Sequence, residues 1–187
     1  VSEVVQSTKP MTHREYQVAE GLAPYTELIH GKVVELNAPS RLHGLVCAEI
    51  AFLLTAHSKK HDCGAVFTND SGILVQRSPD TVRGMDVGYC SYQRVAKGQL
   101  PEGYGGPAPE VVFEVLSKTD RWPAVLAKVA DYLQADVLVV CVVDPGQRTA
   151  RMFRPDGTDI TLSENDTLEI PEIQPTLEAK VSDIFSS

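Results

Sequence analysis

Hydrophobic positions along this chain fall into a few distinct patterns, and each predicts an element. "MTHREYQVAEGL" follows a polar start, residues 1–10, that reads as a loose arm; Thr12 with Glu15 three residues on is a capping box before a short helix. "YTELIHGKVVEL" places apolar and β-branched residues on both sides of His30-Gly31, a hairpin pattern. In "RLHGLVCAEIAFLLTAHSKKH" the apolar residues Leu42, Leu45, Val46, Ile50, Leu53 and Leu54 recur at helical spacing behind a Ser40 cap. "GAVFTND" and "GILVQR" read as two short strands around the turn cluster Asn69-Asp70-Ser71-Gly72, and "GMDVGYCS" as a further short strand.

"GQLPEGYGGPAPE" is Gly- and Pro-rich and predicts a loop at the surface rather than a lid. It leads into "EVVFEVLS", an apolar run with Glu114 at its centre. "KTDRWPAVLAKVADYLQA" is an amphipathic helix with Val125, Leu126, Val129, Tyr132 and Leu133 on one face, Thr119 or Asp120 as cap, and Pro123 in its first turn. "DVLVVCVVDP" is almost purely apolar, as a strand covered on both faces should be. "RTARMFRPDGTDITL" predicts a closing hairpin turning at Asp156-Gly157, and the remaining tail a mostly extended segment ending in a short helical piece. Strand, helix and strand over residues 110–144 form a crossover that puts a parallel pair at the centre of a sheet. The expected class is α/β or α+β, a mixed sheet flanked by at least two helices. With no internal repeat or linker, residues 1–187 read as one domain.

Composition narrows the function classes. At 43% hydrophobic and 22% charged, the chain is that of a soluble globular protein. It holds no apolar run of the roughly 18 residues a membrane helix needs and no signal-peptide core, so a cytoplasmic protein with no membrane association is expected. Cys47, Cys63, Cys90 and Cys141 are scattered without a CxxC pair, which predicts reduced thiols packed as small apolar residues. The net charge of −8 argues against broad nucleic-acid binding while leaving room for a local basic cleft. "HSKKH" has two His at zinc-ligand spacing but no accompanying Glu, and reads as a solvated helix end.

Glu114 is the residue that asks for an explanation, because a carboxylate in an apolar strand must be compensated by a partner, a proton or a metal ion. Asp86 lies in the preceding strand and Lys128 on the helix that follows. Two carboxylates on neighbouring strands can converge on a hard divalent cation such as Mg²⁺ or Mn²⁺, with a lysine orienting water or steadying charge on a phosphate. The competing reading makes Glu114 one half of an ion pair with Lys128 or Arg121, Asp86 an ordinary strand-end carboxylate, and Lys128 a solvated helix residue.

The motifs "YTELIHGKVVEL" with "APSRLHG", "GMDVGYCS", "APEVVFEVLSKTDR", "KVADYLQADVLVVCVVDP" and "RTARMFRPDG" with "TLSENDTLE", in this order over nearly the whole chain, resemble the Uma-type family of proposed bacterial restriction endonucleases, within the restriction-endonuclease-like PD-(D/E)xK superfamily. The resemblance implies that Asp86 and Glu114 are metal ligands, with the backbone carbonyl of Val115 a further ligand. It also implies that the lysine comes from the following helix as Lys128 of a Lys-x-x-x-Tyr pattern ending at Tyr132, since Leu116 stands where the superfamily usually has it. His43 matches a histidine of that family and would be auxiliary, whereas Met85 stands in place of the usual proline. Phosphate contacts would come from Arg83, Arg94, Lys97, Lys118 and Arg121, close in sequence to the site. The expected activity is metal-dependent hydrolysis of phosphodiester bonds in nucleic acid, most naturally DNA, by a homodimer. A non-catalytic nucleic-acid- or protein-binding module on the same fold is the alternative.

Overall fold

A computed structural model describes residues 9–185. The arm expected over residues 1–10 falls outside that range for its first eight residues. The first element is α1 (His13–Gln17), which starts with the expected capping box: the Thr12 side chain accepts from the Glu15 amide, and Glu15 accepts from the Thr12 amide at 2.7 Å. The hairpin follows as β1 (Thr26–Ile29) and β2 (Lys32–Glu35), turning at His30-Gly31 where both residues have positive φ. The long helix α2 (Arg41–His61) is capped by Ser40, which accepts from the His43 amide.

Residues 64–76 correct one expectation. They form a single 13-residue strand, β3 (Gly64–Gln76), antiparallel to an 11-residue β4 (Thr81–Ser91), with a register shift between Thr68 and Ser71. Asn69 and Asp70 have φ of 66° and 52°. The turn-forming residues therefore bulge one strand instead of reversing it, because Asn and Asp tolerate the left-handed region that a bulge uses.

Next come β5 (Val111–Val115), α3 (Trp122–Gln134), β6 (Val139–Asp144), and the hairpin β7 (Thr149–Phe153) and β8 (Asp159–Ser163). The main sheet runs β2-β1-β4-β5-β6-β7-β8, with β3 also on β4, and its one parallel pair, β5 with β6, lies at the centre as the crossover predicted. The tail is more ordered than expected. It forms a second hairpin, β9 (Thr167–Ile170) and β10 (Leu177–Lys180), followed by a 3-10 helix at Val181–Phe185.

Alternation along β5 divides the core. Val111, Phe113 and Val115 pack with Val46, Ile50 and Leu54 of α2 and with Leu168, Ile170, Leu177, Val181 and Ile184 of the tail. Val112 packs on the other face with Val129 and Tyr132 of α3. β5 is thus buried on both faces, which explains its continuous apolar run. The helix faces are narrower than the sequence pattern implied: Leu42, Leu45 and Leu126 are exposed. The start of α3 also departs from expectation. Its N-cap is Arg121, without a side-chain cap, and Pro123 sits in the first turn. Asp120 is used one turn earlier, accepting from the Ser117 amide at 2.6 Å, while Ser117 holds the Thr119 hydroxyl at 3.0 Å. The loop before β5 is pinned, since Tyr104 stacks on Tyr16 and its carbonyl accepts from the Leu74 amide. No helix among the described residues is long and apolar enough to cross a membrane.

Candidate active site

β4 and β5 pair at Val87↔Phe113 and then part. The parting leaves the Val115 amide without a main-chain acceptor, and Asp86 Oδ2 takes its place, accepting from Val115 N at 2.6 Å. The Leu116 amide donates to Val143 on the β6 side. Val115 therefore directs both its N–H and its carbonyl toward the gap, as alternation along a parallel strand requires. Glu114 lies beside this gap. Its Oε2 receives Lys128 Nζ at 2.7 Å and its Oε1 receives the Tyr132 hydroxyl at 2.7 Å. Lys128 and Tyr132 are one helical turn apart on α3, so both reach the sheet from the same face.

Asp86, Glu114 and Lys128 thus lie in one neighbourhood, close enough that the Asp86 charge acts on both of the others. His43 enters from the opposite layer: the start of α2 brings its Nε2 to 3.2 Å from Asp86 Oδ2. Asp86 Oδ1 makes no hydrogen bond among the described residues. The donor set of two carboxylates and a main-chain carbonyl suits a hard, oxygen-seeking cation.

Two acidic residues that sequence reading passed over complete the site. Glu27 of β1 is 3% exposed; it accepts from Arg83 Nη1 at 2.6 Å and from the Gly84 amide at 3.0 Å, and lies 3.4 Å from Lys128 Nζ. The signal was the one that exposed Glu114, a carboxylate beside apolar residues in a strand, but with only Leu28 and Ile29 following it the hairpin pattern let Glu27 point to solvent. Asp70 stands on the β3 bulge. Its pKa is raised by partial burial and by the Asp86 charge.

Burial and crowding set the electrostatics. Burial pushes the Glu114 carboxyl up, and Asp86 adds to this, while Lys128 and Tyr132 pull it down. Burial works against the Lys128 ammonium, but Glu114, Glu27 and Asp86 outweigh it and hold the pKa above the ordinary value. The hydrogen bond to Asp86 drives His43 up to about 10. Burial and the neighbouring carboxylates keep Tyr132 protonated.

Among the cationic candidates, three are already engaged. Arg83 is held between Glu27 and Asp131, with Nη2 at 2.7 Å from Asp131. Arg94 donates to the carbonyls of Ala108 and Asp136 and lies 3.4 Å from Glu110. Lys97 pairs with Asp62 at 2.5 Å. Arg83 and Arg94 are committed to partly buried internal contacts, whereas the Lys97–Asp62 pair lies open to solvent; nearness in sequence to a site on a strand does not fix which way a side chain leaves the sheet. Lys118 is exposed without an ion pair among the described residues, and Arg121 donates only to the carbonyls of Thr119 and Asp120. Both border the open end of β5. His57 at the end of α2 lies 2.8 Å from the Pro175 carbonyl, and the His57–His61 pair gathers no third ligand among the described residues.

An eight-stranded mixed sheet with helices on both faces, its β4–β5 pair parting beside Asp86 and Glu114, defines a mixed α/β protein. The family model "Putative restriction endonuclease", Uma2, matches residues 14–182. The chain belongs to the Uma2 family. A crystal structure from Anabaena variabilis, described as "a putative nuclease belonging to DUF820", superimposes with a TM-score of 0.77 over 95% of this chain and 98% of that one, at 18% identity. That likeness extends to the fold. No curated protein matches the chain.

Proposed function

We propose that the protein is a metal-dependent nuclease that hydrolyses phosphodiester bonds, with DNA the favoured substrate. The observation that carries this reading is the parted β4–β5 pair, where Asp86 accepts from the Val115 amide and the neighbouring Glu114 is bonded to Lys128. Asp86, Glu114 and Val115 would hold Mg²⁺ or Mn²⁺. When bound, such an ion supplies Lewis acidity and a water of lowered pKa.

The chain's own residues do the rest. Lys128, kept as an ammonium by Glu114 and Glu27, donates a hydrogen bond to the attacking water or to a phosphate oxygen that gains charge. Tyr132, bonded to Glu114 and at 3.0 Å to the Gly84 carbonyl, fixes the carboxylate against β4. His43 fixes the Asp86 carboxylate from the α2 side. Lys118 and Arg121, at the open end of β5, would meet the phosphate backbone next to the scissile bond.

A second reading, a binding module that does not cut, draws on the charge pattern. The net charge is −8, and most cations near the site are spent on internal pairs. Calorimetry with Mn²⁺ and Mg²⁺ on the parent and on Glu114→Ala, followed by cleavage of plasmid DNA, decides between them. The nuclease reading expects saturable binding that the substitution abolishes, and metal-dependent nicking by the parent alone. A folded parent that binds neither ion, with or without DNA, favours the binding module.

A further inference from the structure

Cys47 has no part in the reaction proposed above, yet it sits one helical turn after His43 on α2, on the same side of the helix. Its Sγ lies 3.5 Å from His43 Nδ1, and His43 Nε2 lies 3.2 Å from Asp86 Oδ2. One donor atom from each of His43, Cys47 and Asp86 lies within 4.8 Å of the other two. A tetrahedral zinc site with Zn–S near 2.3 Å and Zn–N or Zn–O near 2.0 Å has its ligand atoms about 3.3–3.6 Å apart. His43 can lend only one of its two ring nitrogens to an ion, and with one atom taken from each residue the three separations are all within 4.8 Å, so small side-chain adjustments bring the donors to ligand spacing. The donors differ in kind from those facing Glu114. Thiolate and imidazole favour zinc and its neighbours, whereas carboxylates and carbonyls favour magnesium. Two of the three ligands come from one rigid helix and the third from the central sheet, so the set is held by the fold rather than by a loop.

We propose that His43, Cys47 and Asp86 form a binding site for Zn²⁺, with a fourth position left to water, and that zinc bound there excludes the hard cation by taking Asp86. The exclusion rests on the nuclease reading; the zinc site does not. On binding, the Cys47 thiol proton and the proton on the coordinating imidazole nitrogen leave to solvent, as ligation requires. Zinc then works as an off-switch for the centre, and a thiol-reactive oxidant or a chelator would release it.

Co²⁺, used as a coloured stand-in for Zn²⁺ on the full chain, tests the site. The expected result is one equivalent of Co²⁺ with a thiolate-to-cobalt charge-transfer band that Zn²⁺ abolishes. Cys47→Ser should remove the band and weaken zinc binding by at least about tenfold, since even outer partners of metal ligands are worth that much. Glu114→Gln should keep the band. Circular dichroism of each variant confirms that it is folded, and Cys47→Ala serves as a second thiol-free variant. A folded parent without the band, or a band that survives in both Cys47 variants, overturns the site. Mn²⁺ calorimetry with and without one equivalent of Zn²⁺ tests the exclusion: zinc should block Mn²⁺ in the parent and not in Cys47→Ser. Mn²⁺ binding that zinc leaves unchanged overturns the exclusion. A Cys47-dependent cobalt band in a protein that never binds Mn²⁺ supports the zinc site and removes the nuclease reading instead.

Discussion

Lys128 faces two buried carboxylates at once, Glu114 at 2.7 Å and Glu27 at 3.4 Å. Removing it leaves buried Glu114 without its counter-charge while Glu27 keeps Arg83, and stranding a buried charge in this way costs about 3–5 kcal/mol. Lys128→Ala is therefore expected to lose stability on that scale in urea denaturation. Glu114→Gln should lose less than about 1.5 kcal/mol, because the amide still accepts from Tyr132 or Lys128 and no longer repels Asp86. Equal losses for the two substitutions would mean that the charge balance described here is wrong. The thiols give a second residue-level expectation. Burial pushes Cys141 up to about 12 and Cys90 up to about 11. Since only the thiolate reacts, neither should be alkylated by iodoacetamide at pH 8 until the protein unfolds, and mass mapping of the labelled native chain would reveal either one reacting early.

At the scale of elements, β4 works hardest. Gly84 is hydrogen-bonded to Glu27 through its amide and to Tyr132 through its carbonyl. A Cβ there would meet the Asp70 main-chain oxygen at 3.1 Å. Gly84→Ala must push the β3 bulge away from β4, and a loss of about 1–3 kcal/mol is expected from the overpacking. Asn69, at φ 66° on the same bulge, should tolerate glycine and lose about 1 kcal/mol on substitution by alanine; comparing the two by thermal denaturation checks that the bulge needs the left-handed conformation. A pH effect belongs to the tie between α1 and the turn that leads into β4. Asp80 accepts from the His13 amide at 2.8 Å and lies 2.6 Å from its Nδ1. Burial would raise the Asp80 pKa, but the bonds from His13 and Ser78 win and lower it below 3.8. A lowered carboxyl stabilises the fold above its unfolded pKa and stops doing so as pH falls through the folded value. The part of the Asp80→Ala deficit carried by the charge should thus persist down to about pH 4 and shrink only below it, as urea titrations at several pH values would record.

Legibility in the sequence followed burial. Strands covered on both faces, such as residues 111–115 and 139–144, stood out as unbroken apolar runs, and α2 and the capping box of α1 as periodic or local patterns. The bulge in β3 did not, because Asn-Asp-Ser-Gly suits a chain reversal and a positive-φ bulge alike, and only the partner strand chooses. Asp86, Glu114 and Lys128 were found through motif order, and Glu114 also through its apolar setting. Glu27 escaped because it comes from a hairpin about 60 residues before Gly84, and no local pattern reports that β1 docks beside β4. The same limit applies to Arg83, Arg94 and Lys97, whose partners are set by the tertiary fold.

On the scale of the whole molecule, the two faces of the sheet are covered by different means. α3 alone contributes Val129 and Tyr132 to one face, whereas the other shares its cover between α2 and the tail. Leu168, Ile170, Ile173, Leu177, Val181 and Ile184 are all buried, and Arg154 of the β7–β8 turn binds Glu172 at 2.6 Å. The tail is thus part of the core.

The parting of β4 from β5 reaches further than the chemistry proposed for it. Because a side chain supplies the acceptor that the ladder lacks at Val115, the position of Asp86 is read twice, once by whatever the site binds and once by the folding of the sheet. A lineage that stopped needing the reaction would still be penalised for losing this aspartate. The residue would then outlast the activity as a fossil of it, and its presence in a relative is by itself a weak sign of a working enzyme.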